Sequence, residues 1–298
     1  PVGPAGDRQL PFNSFSGLLE YNQKLNLSAW ELALAYETAR AGISEEKVMG
    51  MMKELYLIMR AGIDSGLRGT RYKDRLLGAQ TTGYLKSMEA GKLVGGELIH
   101  KITLYVSALM EVKSSMGTIV AAPTAGSCGT FPGAILAVVD SLKLDEEHAL
   151  KALLAGSLVG LFIATDSTFS AEIGGCQAEC GAGAGMAAAG ISWLLGAGVE
   201  QCMGAASLAL QNSLGMICDP IAARVEAPCL GKNISSASNA LVCANMALAA
   251  YEHLIPLDEV IETMDRVGRS LPHELRCTAL GGLSISPSAK KLERKINK

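Results

Sequence analysis

Charge is scarce in this chain, at 18% of residues, and aromatic side chains are scarcer, at 5%. The net charge is −3, and the only basic run is the C-terminal Lys290-Lys291 with Arg294-Lys295. Without a basic face, nucleic acid is not an expected partner. No stretch of useful length alternates apolar and polar residues, so strands are not expected. Internal repeats and low-complexity linkers are also missing. The whole of 1–298 is therefore read as one domain, with 1–27 as an irregular N-terminal extension. Pro1 to Gln23 is polar and turn-rich and lacks the apolar core of a secretory leader.

One segment calls for a membrane test. Gly181 to Val199 carries no charge and approaches the roughly 20 residues that span a bilayer. Its many glycines, the lack of flanking Lys or Arg, and the bracketing Glu179 and Glu200 mark it instead as a buried core segment. No membrane association is expected. Eight cysteines without an export signal point to a reducing, cytoplasmic setting, where they pack or bind metal rather than form disulfides.

Hydrophobic residues make up 49% of the 298, and there are 33 glycines. Small residues of this kind suit helices and loops packed closely around a bound group. Helical signals are dense. Ser28-Ala29-Trp30-Glu31 has the form of a capping box, with Leu27 and Leu32 as its hydrophobic staple, opening a helix over 29–40 that stops at Gly42. Ser44 caps a second helix, in which Val48, Met51, Met52, Leu55 and Met59 recur at three- and four-residue spacing. Further helices are expected at 94–113, 133–142, 146–164, 184–195, 201–216, 235–253 and 258–267, the last opened by Pro256 and closed by Gly268. The fold class is all-α, a compact multi-helix domain. Four stretches dense in Gly, Pro, Ser and Cys interrupt it, at 121–133, 173–181, 218–233 and 281–287. Glycine lets backbone approach a bound group closely, so these loops are read as converging on one site.

Three loop cysteines stand out: Cys176 after two glycines, Cys218 before Asp219-Pro220, and Cys229 after Pro228. Their spacing is neither that of a zinc ribbon nor that of a ferredoxin run, and a buried free cysteine is also an ordinary small hydrophobe. Spacing leaves both readings open.

The motifs carry more. Gly117-Thr-Ile-Val-Ala-Ala-Pro-Thr-Ala-Gly-Ser-Cys-Gly129, Ile173-Gly-Gly-Cys-Gln-Ala-Glu-Cys-Gly181, Cys218-Asp-Pro, Pro228-Cys229 and Lys232-Asn233 resemble the α chain of bacterial iron–sulfur L-serine dehydratases, over roughly residues 30–298. That resemblance implies a [4Fe–4S] cluster ligated by Cys176, Cys218 and Cys229. Its fourth iron is open and acts as a Lewis acid in the loss of water from L-serine, giving pyruvate and ammonia. It also implies oxygen sensitivity, a small amino-acid substrate, and a β-type subunit or a homo-oligomer. The chain departs from the family pattern at three places. A Ser/Thr-Gly-Leu-Thr-Gly-Gly-type substrate loop is replaced by Gly78-Ala-Gln-Thr-Thr-Gly-Tyr84, Asn-Ala before Ser-Met-Gly is replaced by Lys113-Ser114, and Arg-Glu-Thr becomes Arg276-Cys277-Thr278.

Other residues are candidates with plainer alternatives. Thr124, Ser127 and Cys128 either line a substrate pocket or form a tight helix-entry turn. Lys232 and Asn233 either engage the substrate carboxylate or sit on an exposed loop. Cys180 is read as packing or supporting the cluster, Cys202 and Cys243 as core, and Arg224 with Glu226, which lie between two ligands, as either part of the site or a surface loop ion pair. None of His100, His148, His253 and His273 is marked as the catalytic base, which stays unidentified. Rival functions are a pyridoxal-phosphate deaminase, which lacks a convincing lysine context here, a cluster-dependent β-elimination on another amino acid such as L-cysteine, and a non-catalytic redox-sensing subunit.

Overall fold

Every regular element of the computed structural model, which describes residues 9–296, is helical. The α-helices run α1 (Phe15–Asn22), α2 (Ala29–Ala41), α3 (Glu45–Arg68), α4 (Gln80–Glu89), α5 (Glu97–Ser114), α6 (Thr130–Ser141) and α7 (Glu146–Asp166). They continue with α8 (Ala171–Gly174), α9 (Ala182–Leu194), α10 (Val199–Gln211), α11 (Cys229–Leu248), α12 (Leu257–Ser270) and α13 (Pro287–Ile296). The all-α expectation holds. At α2 the Ser28 backbone N–H donates to the Glu31 carboxylate at 2.8 Å, as a capping box requires.

Helix α9 lies at the centre, packed against α6, α7, α10 and α11. Its residues from Ala182 to Ser192 are all buried, and apart from Met186, Ile191 and Ser192 they are alanine or glycine. Small side chains let the neighbours approach backbone to backbone. A Cβ built on Gly156 of α7 would lie 2.4 Å from the Met186 carbonyl oxygen, so no larger residue fits there without moving a helix. At thirteen residues α9 rises about 20 Å, short of the roughly 30 Å hydrocarbon core of a bilayer. Among the described residues, α7 is the helix long and apolar enough to cross one, and 67% of its apolar window is buried inside the bundle. A polar anchor ties the outer layer together. Arg60 of α3 makes a two-pronged pair with Asp140 of α6, which also accepts from Tyr105 of α5 at 2.5 Å.

Several boundaries differ from the sequence expectation, each for a physical reason. Helix α1 falls inside the stretch expected to be irregular. Its first N–H groups, from Phe15 and Ser16, are satisfied at 2.8 and 3.0 Å by Asp258, far away in sequence. Helix α4 was likewise unforeseen, and its N-terminus is capped by Glu111 of α5, which accepts from Gln80 and Thr81 at 2.6 and 3.1 Å. Caps supplied from elsewhere in the fold leave no local signature. Helix α12 runs through Gly268 to Ser270. That glycine is a contact point rather than a stop, since a Cβ there would lie 2.7 Å from Gly174 Cα. Helix α11 begins at Cys229, not near 235, so Cys229, Lys232 and Asn233 stand on its first turns instead of in a loop.

Candidate metal centre

The site forms where α8, a π-turn, the start of α11 and the Cys218 strand-like segment meet. Cys176 immediately precedes the π-turn Gln177–Gly181. Gln177, fully buried, fixes that turn on three sides: its side chain donates to Met264 O and accepts from Gly215 N, both at 2.8 Å, and its own N–H donates to Met216 O at 3.1 Å. Cys218 is held by an isolated parallel bridge. Its N–H donates to Leu275 O at 2.8 Å, and its carbonyl accepts from Cys277 N at 3.0 Å. The thiols of Cys176 and Cys218 and a carboxylate oxygen of Glu179 all lie within 4.8 Å of one another. Cys180 and Cys277 join this group through thiol contacts to Cys176 and Cys218 respectively. Cys229 is also buried and is not in the Cys176–Glu179–Cys218 group, and Asn233 bridges its carbonyl, at 2.9 Å, to the Cys180 sulfur at 3.5 Å.

Electrostatics follow from this crowding. Hydrogen bonds from Cys180 and Cys218, helped by the Lys232 charge, hold Cys176 well below the usual thiol value against the effect of burial. Hydrogen bonding to Cys176 and Cys277 pushes Cys218 up. Burial pushes Cys229 up to about 12 and Glu179 up to about 7, the latter opposed by the Thr124 hydroxyl. Burial lowers Lys113, while the charges of Cys128, Cys229, Glu226 and Glu179 partly restore it.

The remaining candidates are placed as follows. Lys232 Nζ donates to Asp219 and Ile217 O at 2.6 and 2.7 Å and lies 3.9 Å from Cys176 Sγ, so it braces the Cys218 segment against Cys176. Asn233 is saturated: it donates to Gly126 O and Cys229 O and accepts from the Thr130 N–H and hydroxyl. Thr124 donates to Glu179 at 2.6 Å and accepts from the Ser127 N–H at 3.3 Å. Ser127 is fully buried beneath it, and Cys128 packs against Met110 in the main core. The Glu179 carboxylate rests directly on Gly126, where a Cβ would come within 2.7 Å of it. Cys202 and Cys243 are fully buried on α10 and α11, as expected of core residues. The surface ion pair expected of Arg224 and Glu226 is not formed. Arg224 donates to Asp74 O, whereas Glu226 is buried and accepts from Tyr72, Leu76 and Leu77.

Three residues of or near the site were not picked out as functional from the sequence: Glu179, Cys277 and Lys113. For Glu179 a signal existed, since it follows Cys176 by three and so faces the same side of a helical turn. Lys113 and Cys277 were visible only as departures from a motif. The histidines lie elsewhere: His100 bonds Tyr84, His148 bonds Asp145 at the α7 cap, His253 packs on Gly204, and His273 is exposed in the His273–Leu275 turn.

Buried thiols gathered from separate segments of an all-helical bundle are donors of the type that suits a soft, thiophilic metal. The serine dehydratase alpha chain family matches residues 24–284, and the chain belongs to that family. It is 36% identical over 285 residues to a probable L-serine dehydratase alpha chain of Bacillus subtilis, covering 96% of this chain and 95% of that one. It is 34% identical to the L-serine dehydratase alpha chain of Peptoniphilus asaccharolyticus, over 95% and 97% of the two chains. The L-serine dehydratase of Streptomyces coelicolor is 31% identical over 93% of this chain, but the match spans only 61% of that longer protein.

Proposed function

We propose that this chain is the single-domain α-type portion of a [4Fe–4S]-dependent L-serine ammonia-lyase, with Cys176, Cys218 and Cys229 as the cluster ligands. The donor set fits such a group: sulfur ligands are soft, buried and drawn from three separate segments, with Lys232 supplying positive charge beside Cys176. The observation that carries the reading is the meeting of Cys176 and Cys218 within 4.8 Å, inside the stretch that the family matches.

When bound, a cluster with one open iron would supply a Lewis acid for the departing hydroxyl of serine. The protein's own groups do the rest. The Lys232–Asp219 pair and the Gln177 hydrogen bonds hold two of the thiol-bearing segments in register. Asn233 ties the glycine-rich loop at Gly126 to the first turn of α11. Thr124, itself bonded to the Ser127 hydroxyl, orients Glu179. The catalytic base stays unassigned, and a β-type chain or domain completes the enzyme. The alpha-chain designation of two relatives, and the extra length of the Streptomyces coelicolor protein, support such a partner.

The test is anaerobic reconstitution, followed by iron and sulfide analysis and pyruvate formation from L-serine, with and without a β-type chain. About four irons per chain, serine turnover, and loss of both in air with partial recovery on adding ferrous iron and thiol are the expected results. A cluster-free protein, or one that keeps full activity through hours of aeration, would refute the reading. Turnover of L-cysteine at a tenfold higher kcat/KM than L-serine would retain the cluster and change the substrate.

A further inference from the structure

Seven of the eight cysteines are buried, and Cys277 is partly exposed. Its backbone is tied directly to that of Cys218. The two segments run parallel, with the Cys218 N–H donating to Leu275 O at 2.8 Å and the Cys277 N–H donating to Cys218 O at 3.0 Å. Segments bonded in this way hold neighbouring Cα atoms roughly 5–6 Å apart, within the span of about 4.4–6.8 Å that a disulfide bridges. Successive side chains of an extended segment alternate between its faces, so an extended Cys277 would point away from the face that Cys218 shares with Arg276. Instead Cys277 has a φ of 61°, in the left-handed region that a residue other than glycine rarely enters. Its side chain packs on the small cluster of Ala171, Cys176 and Cys218. The backbone leaves an ordinary conformation here, and the result is one thiol set against another.

We propose that Cys218 and Cys277 form a reversible disulfide when iron is lost to an oxidant, and that this bridge keeps Cys218 from ligating iron until a thiol reopens it. With hydrogen peroxide as the oxidant, the accessible Cys277 sulfur attacks one peroxide oxygen, giving a sulfenic acid and one water. The Cys218 sulfur then attacks the Cys277 sulfur, the S–O bond breaks, and the hydroxyl leaves with the Cys218 proton as a second water. Two thiols are oxidised by two electrons, and one peroxide is reduced to two waters. A bridged Cys218 is also protected from oxidation to the sulfinic acid, which a thiol cannot reverse. The bridge stands on the geometry alone, whereas its effect on iron rests on the ligand role of Cys218 in the serine-lyase reading.

The experiment maps the sulfurs directly. The anaerobically reconstituted holoenzyme, as wild type and as Cys277→Ser, is treated with hydrogen peroxide, denatured and alkylated without reductant, digested, and examined by mass spectrometry. A linked Cys218–Cys277 peptide should appear in treated wild type and be missing before treatment and after dithiothreitol. Iron uptake from a ferrous salt by treated wild type should be at least about 10-fold lower without thiol than with it. In treated Cys277→Ser, thiol should make no difference to iron uptake. Recovery of Cys218 from treated wild type as an alkylated free thiol, as a sulfinic acid, or linked to Cys176 or Cys180 overturns the proposal. So does an equal thiol requirement in Cys277→Ser. The two layers separate in wild type. If the chain binds no iron yet yields the linked peptide on peroxide treatment, the serine-lyase reading falls and the bridge stands. If iron and serine turnover are as expected and no linked peptide forms, the bridge alone falls.

Discussion

The scaffold around α9 and the thiol pocket beside it are built on opposite rules. In the scaffold, alanine and glycine remove side-chain volume until backbones touch, as at Gly156 against Met186. Tolerance there is a matter of tenths of an ångström. In the pocket, order comes from saturated polar groups: Gln177, Asn233 and Lys232 each hold two or more chain segments at once. The first region fixes where the second can form. Mutations should therefore separate the two, with fold failing in one case and iron in the other.

The largest effect should come from Cys218→Ala. Bound iron should fall below one per chain and activity by at least about 100-fold, while far-UV circular dichroism stays that of wild type. Retention of four irons would remove Cys218 from the ligand set. Next, Lys232→Met should leave the fold intact but weaken cluster retention by about 10- to 100-fold, read as the rate of iron release to a chelator. Gly156→Val should show the converse. Overpacking should cost about 3 kcal/mol in denaturant unfolding, with iron bound normally by whatever fraction remains folded. An undisturbed unfolding midpoint would mean that α7 and α9 can part without cost. The smallest effect is expected from Cys202→Ala and Cys243→Ala, each destabilising by about 1 kcal/mol and keeping a full complement of iron.

The sequence displayed the scaffold better than the pocket because helix periodicity and the Ser28–Glu31 box are local signals. Helices α1 and α4 escaped notice because Asp258 and Glu111, distant residues, complete their N-termini. Within the pocket, motif resemblance pointed to Cys176, Cys218 and Cys229, and the structure brings the first two together with Glu179. Spacing could not show that Glu226 would turn inward to hold the Tyr72–Leu77 segment, or that Lys232 would be consumed by Asp219. Those outcomes depend on which charges end up desolvated together, and only the folded chain decides that.

The π-turn Gln177–Gly181 leads directly into α9, which begins at Ala182. One residue of helix corresponds to about 100° of rotation. Deleting a residue between Cys176 and Ala182 would therefore swing the whole alanine-and-glycine face of α9 away from α7 and α10, or else turn Cys176 and Glu179 out of the pocket. Over the course of divergence, this segment is free to exchange residue types but not to change its length. Insertions and deletions among descendants of this chain should accumulate elsewhere, in the surface connections such as Ala90–Gly96, and leave this turn untouched.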